Sequence, residues 1–186
     1  SDKRWARSEN FCVLGIPIME LQGKTIGIVG YGELGKAVAN VAESFGMKVL
    51  IAKRDASDNR QGRLALDVLL PQVDVLSLHC PLNKDTQGLI GSDELAMMKP
   101  GALLINTARG GLVDELALLD ALKGHHLFGA GLDVLEQEPP AEDNILIGAQ
   151  LKNLLITPHV AWASRECRQR LVDKLAGNIS AVIAGK

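Results

Sequence analysis

The stretch Thr25-Ile26-Gly27-Ile28-Val29-Gly30-Tyr31-Gly32-Glu33-Leu34-Gly35 joins a β-rich run to a helical pattern through three glycines spaced G-x-G-x-x-G. In such a junction the first glycine permits the tight turn and the second lets the backbone approach a diphosphate. The third lets the helix pack close to the strand. The start of the helix then offers free N–H groups and the positive end of its dipole to anionic oxygens. Glycine is frequent here, at 19 of 186 residues, so the spacing alone is weak. The strand before it and the helix after it give it meaning. Gly30, Gly32, Glu33, Leu34 and Gly35 are therefore candidate diphosphate contacts.

Working outward, a strand–helix alternation fills the chain. Strands are predicted at 25–29, 48–52, 73–78, 102–106, 128–132 and 154–157. Leu34, Val38, Val41, Ala42 and Phe45 form one apolar face at helical spacing. A shorter helix is expected over 64–70. Ser92 is read as an N-cap for 93–98, and Asp114 as the cap of a helix over 115–123 closed by Gly124. A long last helix covers 165–184. Residues 1–9 read as a short helix or linker, and 11–21, with Gly15 and Pro17, as a loop. Alternating elements of this kind imply βαβ units, right-handed crossovers and an α/β doubly wound parallel sheet of Rossmann type. Its ligand would sit above the carboxyl ends of the strands.

Bulk properties agree and exclude other classes. The length of 186 residues suits one domain, or one with a short appendage. Apolar residues make up 47% of the chain and aromatics 3%, so the core must be aliphatic, as in a parallel sheet buried on both faces. The net charge of −2 includes no basic run, which argues against nucleic acid and anionic membrane as partners. No apolar run reaches transmembrane length, and no secretory leader is read at the start. The three cysteines, Cys12, Cys80 and Cys167, lack C-x-x-C spacing. They read as packing residues in a reducing cytosol, with no disulfide framework and no metal site.

Four polar segments each follow a predicted strand: His79-Cys80-Pro81, Asn106-Thr107-Ala108-Arg109-Gly110-Gly111, Asp133 to Pro140, and Thr157-Pro158-His159. In a parallel sheet these ends open onto one crevice, so Arg109, Asp133, Glu138 and His159 are expected to converge. His79, His125 and His126 are read as ordinary structural histidines.

With GYGELG, LHCPLNKDTQGLIG, MKPGALLINTARGGLVDE, GAGLDVLEQEPP and NLLITPHVAWAS present in order, the chain resembles the nucleotide-binding domain of the D-isomer-specific 2-hydroxyacid dehydrogenases. Within that family, HVAWAS with Trp162 is most similar to the glycerate dehydrogenase and hydroxypyruvate reductase group. The resemblance implies a catalytic set. Arg109 would grip the carboxylate and carbonyl of a 2-keto acid, for which a planar charged fork is apt. His159 would move the proton, and Glu138, next to Pro139, would bond to His159 and favour its imidazolium. Glu136 is a nearby decoy. The resemblance also assigns cofactor contacts to Cys80, Pro81, Thr86, Thr107, Ala108 and Asp133. Asp133 would accept from the nicotinamide carboxamide, and a structural role at the strand end is its rival reading.

Cofactor choice departs from the common pattern. The second strand should end at a carboxylate that binds the ribose 2′-hydroxyl of NAD. Lys53 and Arg54 stand there instead, and Asp55 comes late. Either NAD or NADP is therefore expected. The resemblance further implies that residues 1–20 are a linker and helix segment. Residues 21–186 would be the dinucleotide-binding domain of a two-domain enzyme whose substrate domain is absent from this chain. Alone, such a fragment would bind dinucleotide and turn over little. A cytoplasmic homodimer acting on small 2-keto or 2-hydroxy acids is implied, with residues 1–19 at the dimer surface and Trp5 and Phe11 as anchors. The alternatives are a dinucleotide-sensing module of corepressor type and, less favoured because Glu138 stands where that group carries glutamine, a formate dehydrogenase.

Overall fold

A computed structural model describes residues 3–13 and 18–185. The middle of the expected loop at 11–21, with Gly15 and Pro17, lies outside the described residues. Thirteen strands and helices are described: β1 Thr25–Val29, α1 Glu33–Ser44, β2 Lys48–Ala52, β3 Arg63–Leu64, α2 Leu66–Leu69, β4 Val75–Leu78, α3 Ser92–Met97, β5 Leu103–Asn106, α4 Glu115–Lys123, β6 Gly129–Leu132, α5 Ile145–Gly148, β7 Leu154–Ile156 and α6 Arg165–Ile183. The segment 5–7 is one 3₁₀ turn. All strands pair in parallel in the order β3-β2-β1-β4-β5-β6-β7. The chain starts in the middle, winds out to β3, then returns to β4 and winds out to β7, which is the doubly wound arrangement expected.

Helices cover both faces of the sheet, so its central strands are almost wholly apolar. Leu69, Leu70, Leu76, Leu78, Leu104, Leu118 and Leu122 form part of one core. Ile26, Ile28, Ala39, Ala42, Met47 and Val75 form the other. Each large aliphatic side chain buried in this way contributes about 1.5–3 kcal/mol.

Several local expectations are corrected. The sheet has seven strands, not six. Leu64 leaves the expected helix and, with Arg63, pairs with Ile51 and Ala52, because the carboxyl half of β2 otherwise has a free edge. The amide of Lys53 then donates to the Leu64 carbonyl at 2.7 Å. Ser92 is the first helical residue and not the cap. Gly91 holds the cap position, and the Glu94 carboxylate accepts its N–H at 3.0 Å. Asp114 does cap α4, accepting from the amides of Leu116 and Ala117. Gly124 stays right-handed (φ −74°), and the left-handed turn passes to His125 (φ 54°).

The buried face of α1 is the expected one only in part: Ala42 is buried and Val38 packs half-buried against the core. Gly35, Ala39 and Ala42 face the sheet, whereas Leu34, Val41 and Phe45 are exposed. The cause lies in the opening motif. A Cβ at Gly35 would collide with the Gly30 carbonyl, so helix and strand touch backbone to backbone there. Only small side chains fit beneath a helix held this close.

Asp74 ties three strand starts together. Its carboxylate accepts the Thr25 amide at 2.7 Å and Lys99 Nζ at 3.1 Å, while its carbonyl accepts from Leu103. Burial pushes the carboxyl up, but the Thr25 amide, Lys99 and Lys24 outweigh it and hold it below its ordinary value. A depressed folded-state value means that this stability is present above the unfolded carboxyl value and lost as pH falls through the folded one. Asp74→Ala is expected to cost about 1–2 kcal/mol in urea unfolding at neutral pH. Asp74→Asn should flatten the acid side of the stability profile below about pH 4.

Candidate active site

The carboxyl ends of all strands lie on one edge of the sheet. β1 and β4 are neighbours whose connections depart in opposite directions, which leaves a crevice between them. A cavity of about 940 Å³ opens at this point. Val29 to Gly32, Ala52 to Ala56, His79 to Pro81, Asn83 and Thr86 are among its walls. Gly30 takes a left-handed backbone (φ 95°), and a Cβ there would run into the backbone of His79 and Cys80. Gly32 differs: a Cβ there would meet nothing within 4 Å. The first and third glycines are thus needed by the fold, whereas the second faces open space at the cap of α1. Amides of the first turn of α1 have no partner within the helix, so this end suits a diphosphate.

Of the predicted cofactor contacts, Gly30, Gly32, Lys53, Arg54, Cys80, Pro81 and Thr86 line the cavity. Glu33, Leu34, Gly35, Thr107, Ala108 and Asp133 do not. Thr86 acts through its hydroxyl, which donates to the Pro81 carbonyl at 2.7 Å and fixes the loop at that wall. Burial pushes the Cys80 thiol up and the His79 imidazole down, so both are held neutral. His79 shares a 2.9 Å hydrogen bond between Nε2 and the Ser77 hydroxyl. His126 Nε2 meets the carbonyls of Leu95 and Met98, a structural role as expected.

The outer rim is basic. Lys53, Arg54, Arg60 and Arg63 all border the cavity, and Arg63 lies 4.8 Å above the Tyr31 ring. The nearby carboxylates are already engaged. Asp55 accepts from Arg54 Nε at 2.9 Å and from Ser57. Asp58, which is buried, takes both Arg60 Nε and Nη2 at 2.7 and 2.6 Å and the Arg54 amide at 3.0 Å. The Arg60 guanidinium and the Arg54 amide hold the Asp58 carboxyl far below the usual carboxylate range. Arg60, Arg63 and Asp58 are unremarked in the sequence because loop position, not motif, brings them to the rim.

The second half of the site lies over β5, β6 and β7, which are adjacent in the sheet. At the end of β5 the buried Asn106 accepts the Ala108 amide at 3.0 Å and donates to the Arg109 carbonyl at 2.9 Å. This shapes the turn that exposes Arg109, whose Nη1 donates to the Ala108 carbonyl at 2.6 Å. A Cβ on Gly110 would collide with the backbone of Leu135 and Glu136. The Arg109 turn therefore lies directly on the loop that carries Glu138. Glu138 accepts the Leu135 amide through Oε1 at 3.0 Å, and its Oε2 lies 2.7 Å from His159 Nδ1.

Asp133 supports that histidine. Its Oδ1 accepts the Thr157 hydroxyl at 2.5 Å and the Val160 amide at 2.9 Å, and its Oδ2 accepts the Ala161 amide at 2.9 Å. Burial raises the Asp133 carboxyl, but Thr157, the two amides and His159 outweigh it and keep it ionised. His159 is left-handed (φ 52°), an uncommon state for a residue with a side chain. Its amide donates to the Asp133 carbonyl at 2.8 Å, and its carbonyl accepts Trp162 Nε1 at 2.9 Å. Thus Arg109, Glu138 and His159 gather at one end of the sheet.

Residues 2–161 match the family model described as D-isomer specific 2-hydroxyacid dehydrogenase, NAD binding domain. The chain belongs to this family. A glycerate dehydrogenase from Methylorubrum extorquens is 52% identical over 182 residues, covering 98% of this chain and 57% of the relative. The chain thus spans little more than half the length of that relative. Among solved structures, an acyclic imino acid reductase in complex with NADPH and D-Arg is 37% identical, with a TM-score of 0.84 over 98% of this chain and 58% of the other. D-lactate dehydrogenase with NAD+ from Lactobacillus jensenii is 33% identical, with a TM-score of 0.81 over 90% and 55%. These matches lend no support to the corepressor alternative. Among the described residues no helix is long and apolar enough to cross a membrane.

The open space at Gly32 and the crowding at Gly35 separate ligand from fold. Gly32→Val is expected to weaken nicotinamide dinucleotide binding about tenfold, or about 1.4 kcal/mol. Its effect on unfolding should stay within about 0.5 kcal/mol. Gly35→Val should instead cost roughly 1–3 kcal/mol of stability. Calorimetric titration and urea unfolding of both variants check this.

Proposed function

We propose that the protein carrying this chain is an NAD(P)-dependent D-2-hydroxyacid dehydrogenase that reduces hydroxypyruvate, glyoxylate or a similar small 2-keto acid. The observation that carries this reading is the 2.7 Å contact of His159 Nδ1 with Glu138 Oε2, beside the turn that exposes Arg109. With Nδ1 engaged, Nε2 is the ring nitrogen left to exchange a proton with the substrate oxygen. The dinucleotide would be held by Gly30, Gly32, Cys80, Pro81 and the α1 cap, and its nicotinamide supplies the hydride for carbon 2. Arg109 holds the substrate carboxylate and polarises the keto group. His159 donates the proton in reduction and takes it back in oxidation. Glu138 orients the imidazole through Nδ1. Asp133 keeps the His159 loop in place from below, which supports the structural reading of this residue over a nicotinamide contact.

The basic rim favours NADP. Asp55 and Asp58 are bound by Arg54 and Arg60 within their own loop, which leaves Lys53 and Arg63 to meet a 2′-phosphate. Residues 21–186 act as the dinucleotide domain and 1–20 as a linker segment, with substrate domain supplied by the rest of the protein, in keeping with the relatives' greater length. We place the enzyme in the cytoplasm as a homodimer. Phe11 is 92% exposed, and with Trp5 and Ile18 it projects from the segment before β1, an apolar surface suited to a second copy.

A steady-state screen of the full-length protein with 2-keto acids and both nicotinamides tests the reaction. Oxidation of reduced cofactor by hydroxypyruvate or glyoxylate is expected, and cofactor binding without turnover of any 2-keto acid would refute it. Glu138→Gln should lower kcat about tenfold to a hundredfold and alter the pH profile of reduction, because the imidazole loses the carboxylate that faces Nδ1. Lys53→Ala should weaken NADPH about tenfold and leave NADH nearly unchanged. Equal losses for both cofactors would remove Lys53 from 2′-phosphate recognition.

A further inference from the structure

The loop between β6 and α5 carries Glu138 on its exposed part, residues 136–143. Exposure of that length leaves few contacts to fix a side chain whose position matters to a fraction of an ångström. Yet both flanks of the exposed stretch end on the same group. Glu115 Oε1 accepts the Glu136 amide at 2.9 Å, and Glu115 Oε2 accepts Asn144 Nδ2 at 2.8 Å. Asn144 is itself fixed, because its Oδ1 caps α5 by accepting from the amides of Leu146 and Ile147. Glu115 is the first helical residue of α4, whose inner face of Ala117, Leu118, Leu119 and Leu122 is buried. One carboxylate on a rigid helix therefore closes the two ends of the loop like a clasp.

We infer that Glu115 is a positioning residue for the proton-transfer pair, acting through the 136–144 loop to hold Glu138 against His159. Among the described residues the Glu115 carboxylate hydrogen-bonds to Glu136 and Asn144, and to neither Glu138 nor His159. The link runs through the Glu136 amide, one residue from Leu135, whose own amide binds Glu138 Oε1. Gly110, packed on Leu135 and Glu136, supports the loop from the Arg109 side. Losing the clasp frees the exposed stretch and lets Glu138 drift from His159 Nδ1. This role rests on the dehydrogenase reading given above.

The test is a mutant cycle in the full-length protein, using Glu115→Ala, Glu138→Gln and the double variant. Glu115→Ala is expected to lower kcat about tenfold with little change in cofactor dissociation constant. Its pH profile should move in the same direction as that of Glu138→Gln. The double variant should be within about twofold of Glu138→Gln alone, since both changes act on one pair. Full multiplication of the two losses, or an unmoved pH profile, would overturn the inference. Should Glu115→Ala not fold, Glu115→Gln keeps one acceptor and is expected to give a smaller shift in the same direction. A direct readout needs no turnover. The Hε1 resonance of His159, assigned by its loss in His159→Gln, should move in Glu115→Ala toward its position in Glu138→Gln. An unmoved resonance counts against Glu115 even if the enzyme reduces no 2-keto acid, whereas absent turnover with a moved resonance counts against the dehydrogenase reading alone.

Discussion

The carboxylate of Asp133 accepts from the Thr157 hydroxyl and the amides of Val160 and Ala161, and it does so from the buried end of β6. Together with the Thr157 amide on the Leu132 carbonyl and the His159 amide on the Asp133 carbonyl, it folds the residues after β7 over the sheet. A left-handed backbone at His159 costs energy that this carboxylate and the Trp162 indole together offset. The imidazole thereby points at Glu138, and the pair ends up beside the Arg109 turn because Gly110 lets two loops touch. A parallel sheet supplies the rest, since β5, β6 and β7 deliver their ends side by side.

Much of this was legible in the sequence because the signals were short-range. The glycine spacing after an apolar run fixed the nature of the first crevice, and Arg109, Glu138 and His159 followed from motif and strand order. What escaped depended on distances the sequence does not state. The exposed face of α1 follows from how near Gly35 brings the helix to β1, which no hydrophobic periodicity records. β3 is two residues long and is made by the free edge of β2, so its composition could not announce it. Asn106 bonds to a backbone amide and a backbone carbonyl, and Glu115 to a backbone amide and an asparagine far along the chain, and such partners leave no pattern in the sequence. A polar residue closing the apolar run of β5 was the one available hint for Asn106.

The two halves of the site differ in construction. The nucleotide end is mostly backbone, with glycines, a helix start and loops pinned by Thr86 and Ser77. It binds by shape and dipole and needs few side chains. The far end relies on charged side chains, each aimed by a buried polar partner: Arg109 by Asn106, and His159 by Asp133. Affinity and chemistry can thus vary separately in this scaffold. The basic rim near Lys53 is a third, peripheral layer at the mouth of the nucleotide end.

The strand order also governs how the molecule comes into being. β1 lies at the centre, yet its partner Val75 in β4 lies far along the chain from Ile26, with two strands and two helices between them. No sheet contact is local, since even β1 and β2 meet only after α1 has formed. A topology of this kind folds slowly, because long loops must close before their contacts reward them. During synthesis β1 can pair with β2 on one edge, but its other edge stays open until β4 has been made, which makes the nascent chain a natural client for chaperones.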